Sequence, residues 1–229
     1  MSNAYDKFLC RMVEYREKLH LTQKDVGNFL GKDQSQFSKM ELGKTVVSYE
    51  ILESLRRKGW DIDYIITGKE KINVMNNLST YLKGKMGEEW KNLNEVLIWI
   101  VRQELDRNGN SYGRDSKCEY ELLKQFLGKN PPDTMLLAVR DILGVSQITM
   151  SEKLGVNIKK YCQLEKGSKN PDAELLGVIY KLTYCRPSIF FYTGDVAEFL
   201  LDCLWNRIKP KQQKEAVEFL NYAIKICKV

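Results

Sequence analysis

With 229 residues, a formal net charge of +6 and 43% hydrophobic residues, the chain is too long for one minimal module and suits two small domains with a connector. Its longest apolar stretch, residues 96–101, falls far short of the ~20 that span a bilayer, and no basic-then-apolar leader opens it, so a cytoplasmic protein with no membrane partner is expected. A single histidine, His20, and six scattered cysteines without a CxxC pair supply neither a zinc ligand set nor a second imidazole for acid–base work, so no metal, no cofactor and no enzymatic chemistry are expected.

In chain order, Phe8, Met12, Tyr15 and Leu19 recur on one helical face and predict a first helix. Thr22 is an N-cap residue type, and residues 24–30 follow as a short helix ended by Gly31. Asp33 opens a third helix running to about Glu41, and Gly43 closes it. Ser48 caps a fourth, with Ile51, Leu52 and Leu55 as its apolar face. Further on, Glu88 to Leu105 reads as one helix through Trp90, Leu93, Leu97, Ile100, Val101 and Glu104. The polar, glycine-bearing stretch Arg107 to Lys117 reads as a mobile loop, and Cys118 to Leu127 as another helix.

From Val145 the early pattern returns. Residues 145–167 align without a gap on residues 21–43 at an offset of 124, placing Thr22 on Ser146, Gln23 on Gln147 and Asp33 on Asn157. Phe37 falls on Tyr161, Glu41 on Glu165 and Gly43 on Gly167, while upstream Arg16 falls on Arg140. The caps recur with the residues, and Asn170 with Pro171 opens the fourth helix of the second copy. The tail holds two amphipathic helices split at residues 209–211, which either cap the second domain or pair two chains, with Trp99 and Trp205 as candidate anchors.

Two short helices joined by a tight glycine-bearing turn can present the second helix to a major groove. On Leu21-Thr22-Gln23, Leu30-Gly31 with Asp33, and Glu41 with Gly43, together with their counterparts in the second copy, the chain resembles the Cro/lambda-repressor-like helix-turn-helix domain of the xenobiotic-response-element family. That resemblance implies an all-α protein of two five-helix domains joined by a helical connector, with C-terminal helices. The boundaries are 1–70 for a first DNA-binding domain, 71–129 for the connector, 130–194 for the second domain and 195–229 for the tail. It further implies sequence-specific binding of double-stranded DNA in transcriptional control, with repression as the family's habit.

Roles follow by position. The resemblance implies Gln34, Ser35 and Lys39 as the base-edge readers of the first copy, with Gln36 and Ser38 nearby. Glutamine can pair with adenine and lysine can donate to guanine. Gln23 is expected to meet phosphate and brace the recognition helix, and Lys44 to meet the backbone again. The second copy offers Gln147, Ile158, Lys159, Lys160 and Gln163. Ile158 departs from the polar pattern; it suits a thymine methyl or a protein surface. Arg16 with Glu41, and Arg140 with Glu165, stand where the family places a structural ion pair.

Two arrangements remain open at this stage. One chain can act as a pseudo-dimer on an asymmetric site, or a homodimer can read DNA through the first copy alone, leaving the second as a scaffold. The alternative function is a protein-interaction module that binds another regulator. An unidentified protein or small-molecule effector fits either reading.

Overall fold

The structure is a computed structural model that describes residues 3–107 and 113–227. It is all-α, with no strand among the described residues. In chain order the helices are α1 Asn3–Lys18, α2 Gln23–Phe29, α3 Gln34–Glu41, α4 Tyr49–Arg57, α5 Ile62–Thr67, α6 Leu78–Met86, α7 Asn94–Arg107, α8 Arg114–Phe126, α9 Met135–Leu143, α10 Gln147–Lys153, α11 Ile158–Glu165, α12 Ala173–Thr183, α13 Val196–Trp205 and α14 Pro210–Cys227. Short 3-10 turns cover Gly87–Leu93 and Pro187–Phe191. No helix among the described residues is long and apolar enough to cross a membrane.

Two compact units emerge. The first holds Met1–Lys71, Thr134–Leu136 and Leu143–Phe191; the second holds Ile72–Asp133, Leu137–Ile142 and Tyr192–Val229. The first unit therefore contains the whole first repeat together with α10, α11, α12 and the second 3-10 turn, whereas α9 is divided between the units.

Unit one is built on local signals that its sequence carries. Thr22 accepts from the Asp25 backbone N–H at 3.1 Å while Asp25 accepts from the Thr22 N–H at 2.8 Å, a reciprocal cap of α2. Asp33 and Gln36 do the same for α3, at 2.7 and 3.1 Å. Ser48, Ser146 and Asn157 cap α4, α10 and α11. Gly31 and Gly155 end equivalent helices at φ 65 and 66, in the left-handed region that glycine enters without a Cβ clash. After α1, His20 adopts φ 55 where the second repeat has Gly144 at φ 62, so the repeat keeps the turn and not the residue. Phe8, Met12, Val26, Phe37, Leu52 and Leu55 are fully or almost fully buried in one core. Leu19, the last residue of the predicted first-helix face, lies beyond α1 and is 42% exposed.

The second repeat departs from the first in two places. Its fourth helix begins at Ala173, and the cap is Asp172, which accepts from the Leu175 N–H at 2.9 Å. Asn170 and Pro171 are not the cap pair that the sequence suggested. The N–H of Ala173, which the Asp172 side chain does not take up, donates to the Val47 carbonyl of the first repeat at 3.0 Å. Where the first repeat has α5, the second has only the 3-10 turn Pro187–Phe191.

Asp63 of α5 is 2% exposed and meets that turn. It accepts from the Ser188 backbone N–H at 2.9 Å and from the Ser188 hydroxyl at 2.7 Å, capping the turn from another helix. Burial pushes the Asp63 carboxyl above the ordinary carboxylate range; the Ser188 bonds and Arg186, 3.8 Å away, pull it down, and Asp61 adds to the rise. The folded chain thus holds this proton more tightly than the unfolded chain. Its contribution stabilises the fold fully below the ordinary value of about 4 and is lost as pH rises through the raised value. Asp63→Asn, neutral and isosteric, should remove that slope. Melting midpoints followed from about pH 7 down to the ordinary carboxylate value of about 4 test this: the wild type should gain on the variant as pH falls, and parallel curves would refute the assignment.

Unit two is organised around α13, which is buried on nearly every side through Ala197, Leu200, Leu201, Cys203, Leu204 and Trp205 and packs on α8 and α6. A helix buried on nearly every side belongs in a core. Asn77 makes no side-chain cap to α6, and Asp202 of α13 takes that role, accepting from the Ser79 N–H at 2.9 Å and its hydroxyl at 2.6 Å. Arg207 donates to both carboxylate oxygens of Glu119 at 2.9 and 2.7 Å, with the Glu119 side chain 1% exposed.

Glu88 to Leu105 is not one helix: Gly87–Leu93 is a 3-10 turn and α7 starts at Asn94. Residues three apart eclipse in a 3-10 helix, so Trp90 and Leu93 share a face there just as they would in an α-helix. Of the predicted loop Arg107 to Lys117, residues 114–117 are the first turn of α8, with Asp115 and Ser116 buried; residues 108–112 lie outside the described residues. Trp205 is core at 4% exposure, whereas Trp99 is 52% exposed and lies against Phe219 of α14, ring centroids 5.5 Å apart.

Candidate nucleic-acid interface

α2 and α3 pack on each other through a turn that comes close to Gly27: a Cβ there would meet the Lys32 carbonyl oxygen at 3.0 Å, tighter than most side chains sit. Lys32 itself donates its N–H to the Gly27 carbonyl at 2.9 Å. The equivalent residue of the second repeat is Ser151, 4% exposed, whose hydroxyl turns back to the Ile148 carbonyl at 2.8 Å. Sequence reading passed over this position. The signal was present, since the alignment pairs two small residues in mid-helix.

Beneath α3 lies a charged brace. Arg16 of α1 donates from Nε to Glu41 Oε1 at 2.7 Å, and its Nη1 donates to the Leu21 carbonyl at 2.9 Å. Gln23, at the start of α2, donates from Nε2 to Glu41 Oε2 at 2.7 Å. One nearly buried carboxylate therefore ties α1, α2 and α3 together. The second repeat keeps the same carboxylate. Glu165 accepts from Gln147 Nε2, and also from the Tyr161 hydroxyl at 2.8 Å. That hydroxyl has no counterpart on Phe37, which explains the one polar change in an otherwise equivalent buried ring. Arg140 lies beside Asp141 at 3.2 Å.

The brace leaves the outer faces to solvent. Gln34, Ser35, Gln36 and Lys39 are exposed, as is Lys44 just past α3, while Ser38 is half-buried. Gln36 spends its Oε1 on the Asp33 N–H, which leaves its Nε2 to offer. On α11, Lys159 is exposed and Lys160, Cys162 and Gln163 are half-buried. Lys160 stands 3.9 Å from Asp172. Ile158 is 42% exposed and Ile148 of α10 is 63% exposed, large apolar side chains in water. Among the described residues no group of three or more His, Cys, Asp or Glu could hold a metal ion.

Comparison with protein-family models, curated proteins and solved structures finds no match to this chain.

Proposed function

We propose that this chain is a sequence-specific DNA-binding transcriptional regulator, a repressor that reads the major groove with α3 and works in the cytoplasm. The observation that carries the reading is α3 itself. It is a capped helix anchored from beneath by Arg16, Gln23 and Glu41, with Gln34, Ser35 and Lys39 free on its outer face. A helix meant only to fill a core needs no such braced polar face. Glutamine and lysine offer the donors and acceptor that base edges in the major groove match. Lys24, Lys44 and the net charge of +6 suit phosphate contacts on either side. No reaction is assigned to the chain.

The test is selection from random duplexes by the purified protein, followed by titration of the enriched duplex across salt concentrations. Enrichment of a motif is expected, with the logarithm of affinity falling linearly as the logarithm of salt rises. No enrichment even at low salt would overturn the reading.

A second reading, a module that binds another regulatory protein, is favoured by Ile148 and Ile158, exposed on the two helices equivalent to α2 and α3. It predicts association with a protein surface that changes little with salt, because apolar burial is not screened.

A further inference from the structure

The end of the second repeat is built into the core of the first. α12 and the turn Pro187–Phe191 pack against α1 and α5. Ala173, Leu176 and Phe191 are buried in the same cluster as Tyr5, Phe8 and Ile65 of the first repeat. Polar bonds run along the seam. Asp63 holds Ser188 by two bonds at 2.9 and 2.7 Å, and Arg186 Nη1 donates to the Glu70 carbonyl at 2.8 Å. Tyr49 donates its hydroxyl to the Phe190 carbonyl at 2.9 Å, and its ring stacks on Phe191 with centroids 4.4 Å apart. Sliding one repeat past the other would expose that core and leave the Asp63 carboxylate buried without Ser188, a change that costs several favourable terms at once. α3 and α11 therefore belong to one compact unit of a single chain, and Lys160 of α11 stands 3.9 Å from Asp172, the cap of α12.

Their outer residues are unlike. The first position of α3 is Gln34, and the equivalent position of α11 is Ile158. The thymine C5-methyl is the apolar feature a major groove offers to such a side chain. From the seam and the unlike readers we propose that one chain, without a second copy, reads a composite asymmetric duplex. One block is chosen by Gln34, Ser35 and Lys39; the other carries thymine and is chosen by Ile158, with Lys159 on phosphate; a single spacing separates them. This rests on the DNA-binding reading above.

The experiment is duplex selection by the full chain, with the mass of the protein–DNA complex measured by sedimentation. Two unlike blocks at one spacing, bound by one chain, are expected. Lengthening the spacer by two base pairs should weaken binding by at least about tenfold, the scale on which a single mismatched pair acts. Deoxyuridine in place of thymine in the second block should weaken wild-type binding about fourfold per lost methyl contact and leave Ile158→Ala unaffected. A palindromic motif carrying two chains overturns the composite site and keeps the DNA reading. So does a single block that Ile158→Ala and Lys159→Ala leave unchanged. Absence of any enriched motif overturns both.

Discussion

Gln34→Ala combined with Lys39→Ala is expected to abolish discrimination between the selected duplex and random DNA while leaving the melting midpoint in place. Both side chains are exposed, and neither takes part in the brace beneath α3. Truncating them removes hydrogen-bonding heads without opening a cavity, so surface-scale stability changes within about 0.5 kcal/mol are expected. Each base-edge contact contributes about 1–3 kcal/mol of discrimination, so losing two should weaken specific binding by about a hundredfold or more. Non-specific binding should fall far less, because Lys24 and Lys44 are kept. Fluorescence titration of selected and scrambled duplexes decides the matter. Retention of wild-type specificity by a folded double variant would remove α3 from its assigned role.

Glu41→Ala should be the most destabilising of these changes. The Glu41 side chain is 4% exposed and that of Arg16 12%, and their 2.7 Å contact joins α1 to α3. Removing the carboxylate strands a nearly buried guanidinium and the Gln23 amide together, and breaking such a pair costs about 3–5 kcal/mol. The contrast is Glu53→Ala on α4. Glu53 pairs with Arg56 and Arg57, whose side chains are 41% and 72% exposed, and about 0.5 kcal/mol is expected there. Urea unfolding of both variants makes the comparison, with the midpoint reporting stability and the slope reporting the surface exposed. Equal midpoints would mean that Arg16 swings to solvent, where Glu17 at 3.6 Å can receive it.

The same carboxylate shows why part of the site was legible beforehand. Arg16 and Glu41 stand 25 residues apart, and that interval recurs at Arg140 and Glu165, so the repeat marked them before any coordinates. Gln23 suits both a phosphate contact and a brace, and its Nε2 bond to Glu41 is the brace. The caps Thr22, Asp33, Ser48, Ser146 and Asn157 were legible because a cap is a contact with a backbone N–H three residues on. The 3-10 turn at Gly87–Leu93 was hidden because its apolar spacing is shared with the α-helix.

By itself, the sequence determined the all-α character, the caps of α2, α3, α4, α10 and α11 and the polar outer face of α3, since each depends on residues within a few positions of one another; the internal repeat it showed by alignment alone. Tertiary structure alone decided what satisfies the first N–H of α12, which donates to Val47 far away in the chain. It also decided that Asp63 caps the turn at Ser188, that α13 is a core helix rather than a free amphipathic one, and that parts of both repeats fuse into one core. Amphipathicity states that a face must be buried and is silent on what buries it. That choice is made by long-range packing, where shape and the pairing of buried polar groups select one partner among many apolar faces.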